Sequence, residues 1–440
     1  MRTLGNILTL GLLGGMLACS GVRAGTVKLT LDVGHPWLLA GKKQTTYVKL
    51  GLSGLPPKAD RRRAPVNVAI VLDRSGSMSG LKLRRAQEAA IMAIDRLAPR
   101  DIVSVVAYNH NVRVLVPATK GSDKQAIFSA INRLSADGRT ALFAGVSKGA
   151  REVRKFLAGN RVNRVILLSD GLANVGPSSP DALAELGASL IKEGISVTTI
   201  GLGLGYNEDL MVKLARAADG NHAFVESPGQ LAQIFNYEFG DLLSVVASDL
   251  EVVITCAPGV RPVRVLGRRA DIIGSRVSTR LNQIYGRQEK YVLLEVEVQG
   301  REAGSSRPLV TARVDYFDVA GERREHLVAS SKVTYTGSRE LVQRRTNSPV
   351  MVEVVTQIAN ENNKRALALR DQGKTDEARR MLLHNEHYLN DSASRYRSRR
   401  LREIGRINRS DADNLSPGRW NRRRKQMRKK QYEFDAQQAW

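Results

Sequence analysis

The sequence feature that most constrains the fold is a nearly continuous apolar run, Val66 to Leu72, that ends in Asp73. Its β-branched residues show no regular polar alternation, which predicts a strand buried on both faces, as in a parallel sheet. Ser75 and Ser77 follow in the loop that leaves the carboxyl end of this strand. Ligands of open α/β sheets bind at that end. One carboxylate and two hydroxyls are hard oxygen donors, which favour Mg²⁺ over a soft metal.

Two later stretches fit the same site. Thr140 precedes a helical pattern, and a second buried-strand pattern from Val165 to Ser169 is followed by Asp170. The order D-x-S-x-S, then T, then D resembles the metal-ion-dependent adhesion site of the von Willebrand factor type A domain. That site would comprise Asp73, Ser75, Ser77, Thr140 and Asp170. The alternative for the first loop is an ordinary Ser/Gly turn that caps the next helix.

Further motifs extend the resemblance over about Val27 to Thr336. Leu72 to Met78, Gly201 to Met211 and Gly220 to Val225 are similar to an exported bacterial branch of this family. That branch is often described as similar to calcium-activated chloride channel regulators or inter-alpha-trypsin inhibitor heavy chains. The resemblance implies a divalent cation, Mg²⁺ or else Mn²⁺ or Ca²⁺, whose open position docks a carboxylate of a partner protein.

Strand and helix patterns alternate through the middle of the chain. They predict an α/β fold: a doubly wound, mostly parallel six-stranded sheet, flanked by a β-sandwich and a C-terminal helical segment. The predicted segments are a signal peptide (1–24), early β-strands (25–60), the type A domain (65–247), a β-sandwich (248–340), a helical hairpin (349–394) and a basic tail (395–440). The resemblance, rather than the strand patterns, implies that the early strands join the later sandwich.

The first 24 residues predict export to the periplasm or cell envelope. Arg2 precedes an apolar core that is too short to span a bilayer, and small residues place a cleavage site before Gly25. Cys19 lies in a loose lipoprotein-like motif, so lipid attachment there is an alternative. No later segment is apolar enough for a transmembrane span. Removal of the signal would leave Cys256 alone, without an intramolecular disulfide, as a small buried residue.

The charge of the chain is strongly positive and uneven. The formal net charge is +25, and residues 395–430 contain 15 Lys or Arg against 3 Asp or Glu. This composition predicts a poorly ordered basic tail that binds anionic glycans or lipid headgroups. Export argues against nucleic acid as a partner, although Trp420 and Tyr432 are residue types that stack on bases. A merely solvated tail is the alternative.

Other chemical motifs are weak. His110 follows a strand at the same edge as Asp73, but a loop histidine on a solvated rim explains it. His384 and His387 do not have the H-E-x-x-H spacing of a zinc site. The glycines at 201, 203 and 205 lack the third position of a dinucleotide loop.

The sequence therefore predicts an exported, non-enzymatic protein that serves in metal-dependent adhesion or assembly. No motif supplies the general base that metal-assisted hydrolysis requires. Two alternatives stay open: a metal-dependent hydrolase at the same site, and an envelope polyanion-binding protein with a structural type A domain.

Overall fold

The structure of the protein is a computed structural model that describes residues 22–56 and 63–437. Most of the predicted signal peptide, including Cys19, lies outside the described residues, and so does part of the arginine-rich linker before the central domain. Within those two ranges, none of the helices combines the length and apolar character that crossing a bilayer requires.

Residues 22–56 form the first strands of a β-frame, which is the pair of β-sheets built from strands that precede and follow the central domain in the chain. They are β1 (Val22–Ala24), β2 (Val27–Val33), β3 (Trp37–Leu39) and β4 (Gln44–Gly54). In β2 and β4, buried residues tend to alternate with less buried ones, because one face of each strand packs on a core.

The central domain is built on one sheet. Its strands are β5 (Val66–Asp73), β6 (Ile102–Tyr108), β7 (Val112–Lys120), β8 (Val162–Ser169), β9 (Ile195–Leu202) and β10 (His222–Val225). They lie in the order β10-β9-β8-β5-β6-β7, and all pairs are parallel except β6 with the edge strand β7. Every residue of β5, β6, β8 and β9 is buried, as their apolar runs predict. The predicted fold class is confirmed.

Six helices cover the two faces of this sheet. They are α1 (Leu81–Asp95), α2 (Lys124–Asn132), α3 (Leu142–Arg154), α4 (Pro180–Lys192), α5 (Glu208–Ala217) and α6 (Leu231–Leu243). α1, α2 and α6 pack on one face, and α3, α4 and α5 on the other. α6 ends at Leu243, because Val245 and Val246 begin the next strand.

The β-frame continues after the central domain. Its later strands are β11 (Val245–Cys256), β12 (Val260–Leu266), β13 (Asp271–Ile273), β14 (Arg276–Tyr285), β15 (Glu289–Val298), β16 (Ser306–Asp318) and β17 (Arg323–Thr336). One sheet has the order β1-β2-β4-β15-β12 and the other β13-β14-β11-β16-β17-β3. β4 pairs along nearly its whole length with β15, so the central domain is inserted between β4 and β11. Both sheets share a single apolar core, in which Cys256 is buried.

The chain ends in a set of helices. They are α7 (Arg339–Arg344), α8 (Ser348–Asp371), α9 (Thr375–Arg395), α10 (Arg399–Asp413) and α11 (Pro417–Ala436). α8 and α9 form an antiparallel pair that turns at residues 372–374, where Gly373 adopts a positive φ of 83°.

The prediction of a poorly ordered tail after Arg395 is wrong. α10 buries Leu401 and Ile404 against α8 and α9, and α11 buries Tyr432 against α5 of the central domain. Tyr432 also donates a hydrogen bond to the carbonyl of Gly220. The apolar residues of the tail are few, but they recur at helical spacing, so each helix has one face to bury.

The charge of the tail is also partly neutralised by distant residues. Arg424 of α11 contacts Glu208 and Asp209 at the start of α5 and Asp371 at the end of α8. Lys425 contacts the same Glu208. The amino-acid composition shows the positive charge of the tail but not the acidic residues that pair with it. A prediction from composition alone therefore overestimates the charge repulsion that opposes folding of the tail.

Candidate functional site

The predicted site residues lie together at the carboxyl edge of the central sheet. Asp73 is the last residue of β5, and Asp170 directly follows β8. Because β5 and β8 are adjacent and parallel, their ends meet at one edge. Thr140 precedes α3 in the loop that enters this edge. Asp73, Ser75, Thr140 and Asp170 are at most 3% exposed, whereas Ser77 faces solvent.

The Asp73 carboxylate is fixed by two hydrogen bonds. Its Oδ1 accepts from the backbone N–H of Ser75 at 2.8 Å, and its Oδ2 accepts from the Ser169 hydroxyl at 2.6 Å. Burial raises the pKa of Asp73; these hydrogen bonds oppose the shift, and the charge of Asp170 adds to it. Placing a divalent cation beside this carboxylate would relieve the cost of keeping it charged and buried.

The three predicted hydroxyl donors converge beside Gly171. A methyl group built on Gly171 would lie 3.3 Å from the hydroxyl oxygens of Ser77 and Thr140, and 3.8 Å from that of Ser75. The Ser75 and Ser77 oxygens are 3.2 Å apart, and Ser77 donates to Asp170 Oδ1 at 2.6 Å. The three hydroxyls therefore share one small space with Asp170 in contact with Ser77, and Asp73 is held next to Ser75. This set of two carboxylates and three hydroxyls fits a hard divalent cation.

Backbone contacts join the loops that carry these residues. The N–H of Gly76 donates to the carbonyl of Gly138 at 3.0 Å, and the N–H of Asp137 donates to the carbonyl of Arg74 at 2.8 Å. The Thr140 N–H donates to the Asn174 side-chain oxygen at 2.8 Å. The Thr140 loop is thus held against both the Ser75 loop and the segment after Asp170.

Three residues of the site were missed by sequence reasoning. Ser169 and Asn174 hold Asp73 and Thr140 through the hydrogen bonds described above. Lys82, in the first turn of α1, contacts Asp170 Oδ2 and donates to the Ser77 carbonyl at 3.1 Å. Their positions were the only indication in the sequence. Ser169 is a polar residue at the end of an apolar strand, and Lys82 lies in the first turn of the helix after the Ser77 loop.

Three histidines were considered in the sequence as a possible base or as metal ligands. His110 is exposed and its ring lies against Gly138. His384 and His387 are on α9. In the described part of the chain, no group of three or more His, Cys, Asp or Glu side chains is placed to hold a metal.

Gly201 lies near the end of β9, and Gly203 and Gly205 lie in the turn that follows it. Gly201 lies against the ring of Tyr206, and Gly203 has a positive φ of 72°. Gly205 approaches the backbone carbonyl of Asp170, so this loop borders the site without adding a donor side chain.

Comparison with known proteins identifies the central domain. Residues 67–236 match the family model of the von Willebrand factor type A domain. "Uncharacterized protein sll0103" of Synechocystis sp. is 31% identical over 245 residues, which cover 53% of this chain and 58% of that protein. Inter-alpha-trypsin inhibitor heavy chain H3 of Pongo abelii is 29% identical over 36% of this chain and 19% of its own. This chain thus spans less than two thirds of either relative.

A solved structure resembles nearly the whole chain in fold. The structure titled "von Willebrand factor type A from Catenulispora acidiphila" aligns with a TM-score of 0.70 over 88% of this chain and 91% of that one. The sequence identity is 19%, so this likeness concerns the fold alone.

Proposed function

Because the chain carries a von Willebrand factor type A domain, we propose that Asp73, Ser75, Ser77, Thr140 and Asp170 bind a divalent cation that docks a carboxylate of a partner protein. The observation that carries this proposal is the convergence of the three hydroxyls on one space beside Gly171, where Ser77 also contacts the Asp170 carboxylate. Domains of this family commonly mediate metal-dependent protein–protein interactions.

The donor set favours Mg²⁺, with Mn²⁺ or Ca²⁺ as substitutes. Mg²⁺ takes six oxygen ligands and readily keeps some positions for water or another ligand. Asp73 and Asp170 together carry only two negative charges, so the bound cation would remain attractive to a further anionic oxygen. A glutamate or aspartate of a partner protein is the natural source of that oxygen.

Each residue would have a distinct part in binding. Asp73 is oriented by Ser75 and Ser169, so its carboxylate is positioned before the cation arrives. Thr140 is oriented by Asn174. Ser77 is the exposed member of the set, which places the approach for a partner on its side of the cluster.

We propose that the protein acts by binding and not as an enzyme. A hydrolase at this site would need a general base near the cation. His110 is the nearest histidine in sequence, and its ring lies on Gly138 with solvent around it. The two acids and three hydroxyls of the cluster supply ligands but no general base. Adhesion or assembly in the cell envelope is the role that fits, and the export part of this proposal rests on the sequence of residues 1–24.

Metal titration of the full chain tests the binding site. We expect Mg²⁺ and Mn²⁺ to bind the wild type with one-site stoichiometry in calorimetry, and Asp73→Ala to lose that binding while keeping its circular dichroism spectrum. Asp95→Ala is the matched control, because Asp95 is an exposed carboxylate at the far end of α1. Equal Mn²⁺ binding by Asp73→Ala and the wild type would sink the proposal.

Capture of envelope proteins tests the docking role. Immobilised wild-type protein should retain a partner in Mg²⁺ and release it in chelator, and Asp73→Ala should not retain it. Mutating acidic residues of the captured protein should abolish retention. Retention that persists in chelator would show that the partner binds elsewhere.

A further inference from the structure

We propose that a cleft between α10 and α11 binds a ligand that carries two or more phosphate groups. The cleft has a volume of about 610 Å³. Its walls are formed by four arginines with one acidic and two uncharged residues: Arg399, Arg402, Arg406, Arg423, Glu403, Ile407 and Ser410. The excess of positive charge in one concave space attracts a multivalent anion.

Three of these arginines have no acidic partner within the described ranges, 22–56 and 63–437. Among the described residues, no ion pair involves Arg399, Arg402 or Arg406, and all three are exposed. Most basic residues of α11, by contrast, are paired with acids of α5, α8 or α11 itself, and they include Arg424, Lys425, Arg428, Lys429 and Lys430. The charge of the C-terminal segment is thus neutralised beside the central domain and left unneutralised in the cleft.

The backbone of α10 holds the three free arginines in place. Their spacing of three and four residues puts them on one face of the helix. The opposite face is buried through Leu401 and Ile404. α10 cannot rotate to pair these arginines without exposing its apolar face, so they stay directed at the cleft. Arg423 enters from α11 and is held by Asp411, with its Nε 2.5 Å from the carboxylate.

The type of side chain favours phosphate. A guanidinium group forms two parallel hydrogen bonds to a phosphate, and several such groups bind neighbouring phosphates of one ligand. Nucleic acid would also need surfaces for base stacking. No aromatic ring lines the cleft, and the nearby Trp420 ring is covered by the guanidinium of Arg370, 5.1 Å from its centroid.

A second cavity extends the basic surface. It has a volume of about 650 Å³, shares Arg423 with the first, and adds Arg419 and Arg422. A chain of phosphates could therefore contact both spaces. Arg422 is already paired with Glu226, so the first cavity holds the stronger field.

Two phosphate sources share this chemistry, and binding assays on the full chain separate them. One assay uses inorganic tripolyphosphate in calorimetry. The other measures sedimentation with phosphatidylcholine vesicles, with or without cardiolipin, a lipid whose headgroup carries two phosphates. We expect Arg402→Gln/Arg406→Gln to weaken binding at least tenfold. The matched control Arg395→Gln/Arg397→Gln removes the same charge from exposed residues outside the cleft and should change affinity less than threefold.

Each outcome bears on the cleft. Tripolyphosphate binding that depends on Arg402 and Arg406 supports a soluble phosphate ligand, and vesicle binding with the same dependence supports a lipid headgroup. Equal losses in the two double variants would mean unspecific charge attraction and would overturn the proposal. Failure of the wild type to bind either probe at 50 mM salt would also overturn the proposal, because electrostatic attraction is only weakly screened at that ionic strength.

Discussion

The Lys82 ammonium contacts the buried carboxylate of Asp170, on the oxygen that the Ser77 hydroxyl leaves free. Asp170 is 1% exposed, so this contact compensates a charge that water does not reach. Lys82 thus supplies a positive charge at the edge of the proposed cation site. A cation bound there would compensate part of the Asp170 charge in place of Lys82, and the two positive charges would repel each other.

Lys82→Met should therefore raise the affinity for Mg²⁺. We expect a gain of roughly tenfold, equivalent to about 1.4 kcal/mol, because the cation no longer competes with the ammonium for Asp170. The measurement is calorimetric titration with Mg²⁺, beside Lys213→Met, an exposed lysine paired with Asp181 on the same domain. An affinity that falls would instead assign Lys82 to positioning Asp170 for the cation.

Gly171→Ala should weaken metal binding without unfolding the domain. The added methyl would lie 3.3 Å from the Ser77 and Thr140 oxygens, in the space that the cation would use. We expect about a tenfold loss of Mn²⁺ affinity. Gly159→Ala is the control, because a methyl at Gly159 meets no atom within 4 Å. Unchanged affinity in Gly171→Ala would place the cation elsewhere in the cluster.

The sequence predicted those parts of the site that depend on strand ends. Asp73 and Asp170 follow apolar runs that predicted two strands of one sheet, and the resemblance to the type A domain implied that they share a site; the structure places the two strands side by side. Ser169 and Lys82 were missed because their roles depend on which atoms face the carboxylates, and neither lies in a distinctive motif.

The order of the C-terminal segment could not be predicted for a different reason. Lys425 of α11 donates to the carbonyl of Tyr206 at 2.7 Å, across more than two hundred residues. Local composition reports only that Lys425 is charged, whereas its partner depends on how the whole chain folds. The same holds for Tyr432, whose hydroxyl donates to Gly220.

Arg424→Ala should destabilise the whole assembly of α11 on the central domain. The Arg424 side chain is 18% exposed and lies 2.6 Å from Asp209 and 2.8 Å from Asp371. Removing Arg424 leaves Lys425 as the ion-pair partner of the nearly buried Glu208 carboxylate. We expect a loss of about 3 kcal/mol in the free energy of unfolding, measured in urea. Arg419→Ala, which loses one exposed hydrogen bond to Asn414, should change stability by about 0.5 kcal/mol or less.

Glu238 should make stability fall as the pH rises through the range just below neutrality. This side chain is buried where the central domain meets the β-frame. Thr198 and Asn221 donate to its Oε2 at 3.2 and 3.0 Å, and Arg164 lies 3.9 Å away. Burial raises the pKa of Glu238 to about 7; Arg164 opposes the shift, and Asp241 adds to it.

The sign follows from proton binding. The unfolded chain releases this proton near pH 4.5, the ordinary pKa of a glutamate, whereas the folded protein keeps it until about pH 7. Between these values the folded state binds more protons, so its stability decreases as the pH rises. Glu238→Gln cannot titrate. The unfolding free energy of this variant minus that of the wild type should therefore increase between pH 5 and 7, by up to about 1.4 kcal/mol per pH unit.

Urea unfolding at several pH values measures this difference. Glu340→Gln is the control, because Glu340 is exposed in the first turn of α7 and should show the wild-type pH dependence. A constant difference between Glu238→Gln and the wild type from pH 5 to 7 would mean that Glu238 is charged throughout. Arg164 would then neutralise it fully, and the contact between these two side chains, both of which belong to the central domain, would be a buried ion pair at every pH in that range.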